Sequence, residues 1–422
     1  MLRSLFSAIS GLQAHQTKMD VVGNNIANVN TVGFKSSTTV FEDTLSQVLR
    51  NGSAPTSGTG GTNPAQVGLG VKVATIATNF GQGSTQATGR DSDFMISGDG
   101  FFVTKSGNQQ TYTRAGSFDF DSSGRLTTPD GNILQGWMAT NGTINTNGPL
   151  KDLTVPFGQT LAPVATTNGM VSGNLSAEAS SSTPVGGNVQ TQVTMYDPLG
   201  HAHQISYIFS PTGTPDQWDV SVQDENGAPL PTTPGPVTVN FDPLTGPTKG
   251  QIVPATDQTF TFDPSVSFPD WTGGVTADLS AVSQFGGKST VIAQSPVTGG
   301  GSALGTLESF SLGDDGTITG VFSNGLRQAI GQLALANFAN PAGLTKSGNS
   351  SYSVGDNSGA AQIGTAGTGG RGSLSAGALE MSNVDLAQEF TGLIIAQRGF
   401  QANSKVITTS DQILQDLVQM KQ

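Results

Sequence analysis

Three histidines and no cysteine in 422 residues leave this chain little imidazole chemistry and no thiol chemistry. Without cysteine there is no disulfide, no thiolate metal site and no sulfur nucleophile. His201 and His203 alternate along one stretch beside Asp197, and two imidazoles near a carboxylate are the beginning of a metal site. No third ligand stands out, and a solvated pair beside a turn accounts for the same residues. Asp119, Asp121, Ser123 and Gly124, with Leu126 and Asp130, imitate part of a calcium loop. Such a loop closes on a bidentate glutamate, which is missing here, and a hairpin turn explains the aspartates and glycine equally well. Gly98-Asp99-Gly100 is followed by no helix start, which a phosphate cradle needs. No base–nucleophile arrangement emerges from the scattered carboxylates. The sequence therefore predicts no enzyme, no cofactor and no metal.

Composition turns attention from sites to surfaces. Charged residues make up 11% of the chain, against about 25% in an average soluble protein. Glycine, at 57 residues, is nearly twice its usual share of about 7%. That balance suits strands joined by tight turns. The net charge of −12 argues against a nucleic-acid partner, since neutralising phosphates needs a basic face. No apolar run is long enough to insert in a membrane. The first ten residues faintly resemble a secretion signal, but polar residues interrupt them and no cleavage site follows, so the stretch is expected to be retained.

The strongest pattern lies at the two ends. Leu379, Leu386, Leu393, Phe400, Ile407 and Leu414 are apolar at a spacing of seven, with Val406, Ile413, Leu417 and Met420 widening the stripe. A strict seven-residue repeat predicts a helix that buries its seam on another helix. Over residues 379–421 it would be roughly 64 Å long. Near the N-terminus, Leu2 and Ile9 share one heptad row with Gln16 and Gly23, while Leu5, Leu12, Met19 and Ile26 fill another. This first helix is the expected partner, although Gly11 and Gly23 weaken it by about 1 kcal/mol each.

Between the helices the period changes to two. A short polar helix is expected near residues 40–49 within a linker or arm over residues 35–70. Strands follow around Phe94-Met95-Ile96, Phe101-Phe102-Val103, Tyr112-Thr113-Arg114 and Phe118-Asp119-Phe120, punctuated by glycine turns. Residues 146–297 are β-rich with more proline, and from 298 the earlier style returns. The expected architecture is multidomain α+β: an inner coiled-coil domain (1–34 and 372–422), a first, mainly antiparallel β domain (71–145 and 298–371), and an outer β domain inserted over 146–297.

Three motifs then decide the matter. Asn25-Ile26-Ala27-Asn28-Val29-Asn30-Thr31-Val32-Gly33-Phe34-Lys35 resembles the N-terminal signature of the bacterial flagellar rod and hook protein family. Leu379-Glu380-Met381-Ser382-Asn383-Val384-Asp385-Leu386 and Gln397-Arg398-Gly399-Phe400-Gln401-Ala402-Asn403 resemble its C-terminal signature. Asp99-Gly100-Phe101-Phe102-Val103, with Tyr112-Thr113-Arg114, is similar to the family's first β domain. Together the matches span both ends and about half the chain. Gly399 and Val32 depart from the commoner Ala and Thr. The long middle insertion places the chain with the hook-type members, the distal rod protein being the alternative within the family.

The resemblance implies a homopolymer, a hollow and bendable tube outside the cell that joins motor to filament. It implies as partners the distal rod protein, the hook cap protein, the hook–filament junction protein and the flagellar type III export apparatus. It points to Asn28, Thr31, Gly33, Phe34, Asn383, Asp385, Gln397, Arg398 and Asn403 as motif residues, beside the two helical seams. The polar faces of the helices (Gln13, Gln16, Thr17 and Asn24; Gln397, Gln401 and Ser404) would suit a channel lining. A secreted adhesin with a β-rich head is the competing class.

Overall fold

The computed structural model describes residues 2–420 apart from 56, 141, 159, 182–186, 244–247, 254–257 and 297, and the side chains of Leu2, Ser180, Ser181 and Leu417 also lie outside the described set. The chain is mostly β with a helix near each end, and it divides into two compact units. The first comprises residues 1–156, 310–319 and 328–422; the second, residues 157–309 and 320–327.

In the first unit, the N-terminal helix runs over Leu2–Ala27 and the C-terminal helix over Leu386–Gln419. The second is shorter than its heptad pattern predicts, for a local reason. Asp385 caps it, its carboxylate accepting from the backbone N–H groups of Ala387 (2.9 Å) and Gln388 (3.3 Å). Leu379, the first residue of the expected stripe, lies instead in the strand Ala378–Glu380, paired antiparallel with Thr85–Ala87. Its side chain is buried there, so its place in the heptad is a coincidence of spacing.

The helix expected near residues 40–49 is also absent. Ser37–Asp43 and Val71–Thr78 form one antiparallel pair, and Ser46–Arg50 and Ala65–Gly68 form another. Thr38, Thr39, Val40 and Phe41 favour extended backbone, and a cross-strand partner outweighs weak helical periodicity there. This arm is tied to the N-terminal helix: Ser10 Oγ accepts from Val71 N (3.3 Å), and His15 meets Phe41 edge-on at 5.6 Å.

The β layer of the first unit centres on Phe101–Ser106, paired antiparallel with Gln109–Thr113, Ile133–Thr140 and Leu335–Asn337. Its core gathers Phe101, Val103, Tyr112, Trp137, Ala334, Ala336, Phe338 and Tyr352. Edge-on aromatic contacts run through it, among them Tyr112–Phe338 at 4.9 Å.

The second unit holds a five-stranded and a four-stranded sheet around one core. Val189–Tyr196, Ala202–Pro211, Gln217–Gln223 and Val237–Asn240 form the four-stranded sheet in order. Every second residue along Gln217–Gln223 points inward, giving buried Trp218, Val220 and Val222. Trp218, Tyr207, Phe209, Phe262 and Trp271 fill the centre. Trp218→Ala is expected to cost this unit about 3–5 kcal/mol. Calorimetry of the full chain checks this as a lowered transition for the second unit, with that of the first unmoved.

Candidate assembly surface

The residues that first looked chemical are engaged in turns. Asp197 Oδ1 accepts from Leu199 N (2.9 Å) and His201 N (2.8 Å), and Oδ2 meets His201 Nδ1 at 3.0 Å. Burial alone would raise the Asp197 pKa, but the bonds from the His201 side chain and backbone, with the His203 ring nearby, bring it below the ordinary carboxylate value. His203 stacks on Phe268, ring centroids 3.9 Å apart. Asp121 similarly closes its own turn through Ser123 N, Arg125 N and Arg125 Nε, which occupies the oxygens a calcium ion would need.

The helices carry the more informative surface. They run antiparallel, with Gly11 against Asn403, His15 against Gly399 and Val22 against Gly392. Asn25 Nδ2 donates to Glu389 Oε1 at 2.8 Å near the far end. On the C-terminal helix the covered rows are Leu393, Phe400 and Ile407 beside Glu389, Ala396, Asn403 and Ser410. Three of the expected residues therefore lie on the seam. Leu386 lies off it, 40% exposed, and Leu414, 37% exposed, continues the row past the end of the N-terminal helix.

The seam of the N-terminal helix differs more from expectation. Its most buried residues are Ala8, Gly11, Ala14, Val22 and Asn25. Leu5, Leu12, Met19 and Ile26 are half-buried on its flank, while Ile9 is 37% exposed and Gln16 and Gly23 are fully outward. The reason is close approach. A Cβ at Gly11 would stand 2.8 Å from Asn403 Nδ2, and one at Gly399 would stand 2.5 Å from His15 Cε1. Two polar side chains thus seat over two glycines, and larger apolar residues cannot enter that plane. Gly399, a departure from the family pattern, is what makes room for His15.

Where this pair meets the β layer, the sequence motifs converge on one polar cluster. Lys35 Nζ lies 2.6 Å from Glu380 Oε1, and Arg114 Nη1 lies 3.3 Å from Glu380 Oε2. Lys35 also donates to Gly81 O (2.9 Å), and Arg114 Nη2 to Gly98 O (2.8 Å). The Arg114 guanidinium sits 5.5 Å from the Phe101 ring centroid. Burial lowers the pKa of both cations, against the opposing pull of Glu380.

Around the cluster, Gly33 adopts φ +66 with Ala115 N 2.5 Å from where a Cβ would be, and its N–H donates to Glu380 O (2.8 Å). Asn383 Oδ1 accepts from Ser36 N (2.8 Å), while its amide donates to Asn79 O and Gly81 O. Asn25 binds both backbone groups of Ser37. Asn28 accepts from Thr31 Oγ1 at 3.0 Å and holds the turn after the helix, and the Phe34 ring lies 5.6 Å from Lys346 Nζ. Gln397 and Arg398 are exposed on the C-terminal helix. Lys35, Arg114 and Glu380 stand inside the quoted motifs, but nothing in their spacing singled them out. The available signal is weak: they are three of the six charged residues that the motif blocks hold in a chain so poor in charge.

Two outcomes follow for the helix pair. Gly399→Ala is expected to weaken it by about 1–3 kcal/mol, because His15 must move. Burial, then the Lys18 charge, lowers the His15 pKa. The unfolded chain therefore takes up the proton first, and stability falls as pH drops below about 6.5, levelling off beneath the depressed value. Helix melting followed by circular dichroism between neutral and acid pH checks both, and His15→Gln should remove this component of the slope.

Comparison with known proteins sets this geometry in a family. The model described as "Flagella basal body rod protein" matches residues 5–35, and "Flagellar basal body rod FlgEFG protein C-terminal" matches residues 375–420. Between them, "Flagellar hook protein FlgE/F/G D1 domain" matches residues 95–173 and "Flagellar basal body protein FlaE D2 domain" residues 166–296. The chain is 40% identical to the flagellar hook protein FlgE of Borreliella burgdorferi, with 100% of each chain covered. It is 36% identical to that of Escherichia coli, over 98% of this chain and 99% of the relative. The flagellar basal-body rod protein FlgG of Bacillus subtilis is 33% identical, again over 100% of both chains. By identity along its whole length, the chain belongs to the flagellar hook protein family.

Proposed function

We propose that this chain is the structural subunit of a flagellar hook, polymerising into a hollow, bendable tube that transmits torque from rod to filament and serves as an export channel. It is not an enzyme in this reading, and it works outside the cell, in the flagellum. Its inner domain (1–34 and 372–422) is a coiled coil of the two terminal helices, with the strands Ser373–Ala376 and Ala378–Glu380 leading into the second. A first β domain (71–145 and 298–371) and an outer β domain inserted over 146–297 lie between the helices in sequence, with 35–70 as the arm. The distal rod, hook cap and hook–filament junction proteins and the flagellar type III export apparatus are its partners, and in this reading it binds no nucleic acid and does not insert in a membrane.

One observation carries the reading. After pairing with its partner helix, the C-terminal helix still exposes Phe390, Ile394 and Ile395 outside the seam by half or more, with Leu386, Val406 and Ile413 also outside it, and leaves Leu414 and Val418 uncovered past the partner helix's end. A helix with a second apolar face is not finished within one chain. At about 25 cal/mol per Å², covering those side chains contributes several kcal/mol per subunit, which the ordering of the helices partly offsets. A head-to-tail contact between identical copies that does not close produces a helical polymer. Gln13, Gln16, Thr17 and Asn24 are the polar residues we assign to the channel side, whereas Gln397, Gln401 and Ser404 continue the Phe390–Ile394 stripe and go with that contact.

Replacing Phe390 and Ile394 together by Ser is expected to abolish tubes in electron micrographs while leaving the melting of both units unchanged. Tubes of normal yield would overturn the assignment of that face. The rod-type relative keeps one second reading in view: tubes that bend mark a hook, and tubes that stay straight mark a distal rod.

A further inference from the structure

Lys35, Arg114 and Glu380 are 0%, 3% and 1% exposed, so water screens none of them. Glu380 is the carboxylate bonded to both cations, and Asp99 adds only a longer-range attraction from an exposed position. The three come from distant parts of the chain. Glu380 lies 345 positions after Lys35 and 266 after Arg114. The β layer and the N-terminal turn thus bring two positive charges to one buried point, and the neutralising group arrives with the last stretch of the chain.

We infer that this cluster makes closure of the first unit conditional on the C-terminal segment. With residues 378–383 elsewhere, docking the Gly33-Phe34-Lys35 turn over Arg114 would bury two cations with no anion. Removing one partner of a buried pair is far more damaging than replacing the whole group by apolar side chains, because a bare charge is left behind. The same segment also supplies the Glu380 carbonyl to Gly33 N–H and the Asn383 carbonyl oxygen to Ser36 N–H. Those neutral bonds steer the docking; the charge balance forbids it when incomplete. Chains are made from the N-terminus, so a partly delivered chain holds this unit open until its end is present. For a subunit that adds to a growing polymer, a half-arrived copy cannot lock into place. That bearing on assembly rests on the function proposed above, whereas the coupling itself does not.

Pulse-labelled hydrogen exchange during refolding of the full chain tests the coupling. The comparison is with a variant carrying Lys35→Met, Arg114→Met and Glu380→Met together. The unaltered chain is expected to protect Phe101–Ser106 and Gln109–Thr113 in the same step as Ala378–Glu380. In the triple variant, whose apolar side chains need no partner, those two strands should gain protection at least about tenfold sooner than Ala378–Glu380. Early protection of these strands in the unaltered chain, or a single step in the triple variant, overturns the inference. If the triple variant does not fold, Glu380→Gln decides at equilibrium. Exchange should then rise at least about 100-fold in residues 25–35 and in Phe101–Ser106 together, and a rise confined to Ala378–Glu380 overturns the inference. None of these measurements requires a polymer, so they stand or fall apart from the proposed function.

Discussion

A carboxylate shared by two buried cations is the constraint on which the first unit depends. Glu380 takes Lys35 on one oxygen and Arg114 on the other. Around it the N-terminal turn, the strand Gln109–Thr113 and the strand Ala378–Glu380 are held in one arrangement. A buried ionic cluster of this kind adds little net stability, since desolvation consumes most of the Coulomb gain. What it adds is intolerance of partial structures. In a chain of 11% charged residues, placing three of them at one dry point is a costly choice, and its effect is to join both chain ends to the β layer.

The helix pair built on this base is weak by construction. Its seam mixes Ala8, Gly11, Ala14 and Val22 with His15, Lys18 and Asn25, and faces Ala396, Gly399, Asn403 and Ser410 as much as Leu393, Phe400 and Ile407. Small residues bring the backbones close but bury little apolar area, so the pair gains register more than stability. The larger apolar side chains, Phe390, Ile394 and Ile395 among them, point away from the seam. Stability is thereby moved from within one chain to contacts between copies, as a polymer subunit that must first exist alone requires.

Much of this was legible in the residues. Period-two alternation locates Phe101–Ser106 and Gln109–Thr113, and the heptad rows locate both terminal helices. The errors share a cause. Heptad spacing shows that a helix has an apolar face, but not which neighbour covers it. Ile9, Leu386 and Leu414 are apolar for a face the single chain leaves open, and Leu379 fits the repeat while lying in a strand fixed by pairing with Thr85–Ala87. The seam was hidden because glycine and alanine carry no hydrophobic signal, although they mark close approach. Lys35, Arg114 and Glu380 lie within motifs that do not pair them, since sequence alone gives no distance between positions 345 apart.

The central claim is that the outward face of the C-terminal helix is completed by other copies of the chain. Electron cryo-microscopy of assembled tubes, at a resolution that shows side chains, tests it most directly. The account predicts that Phe390, Ile394 and Ile395 are covered by helices of neighbouring copies. Tubes held together through the second unit alone, with those apolar side chains still facing solvent, would contradict it.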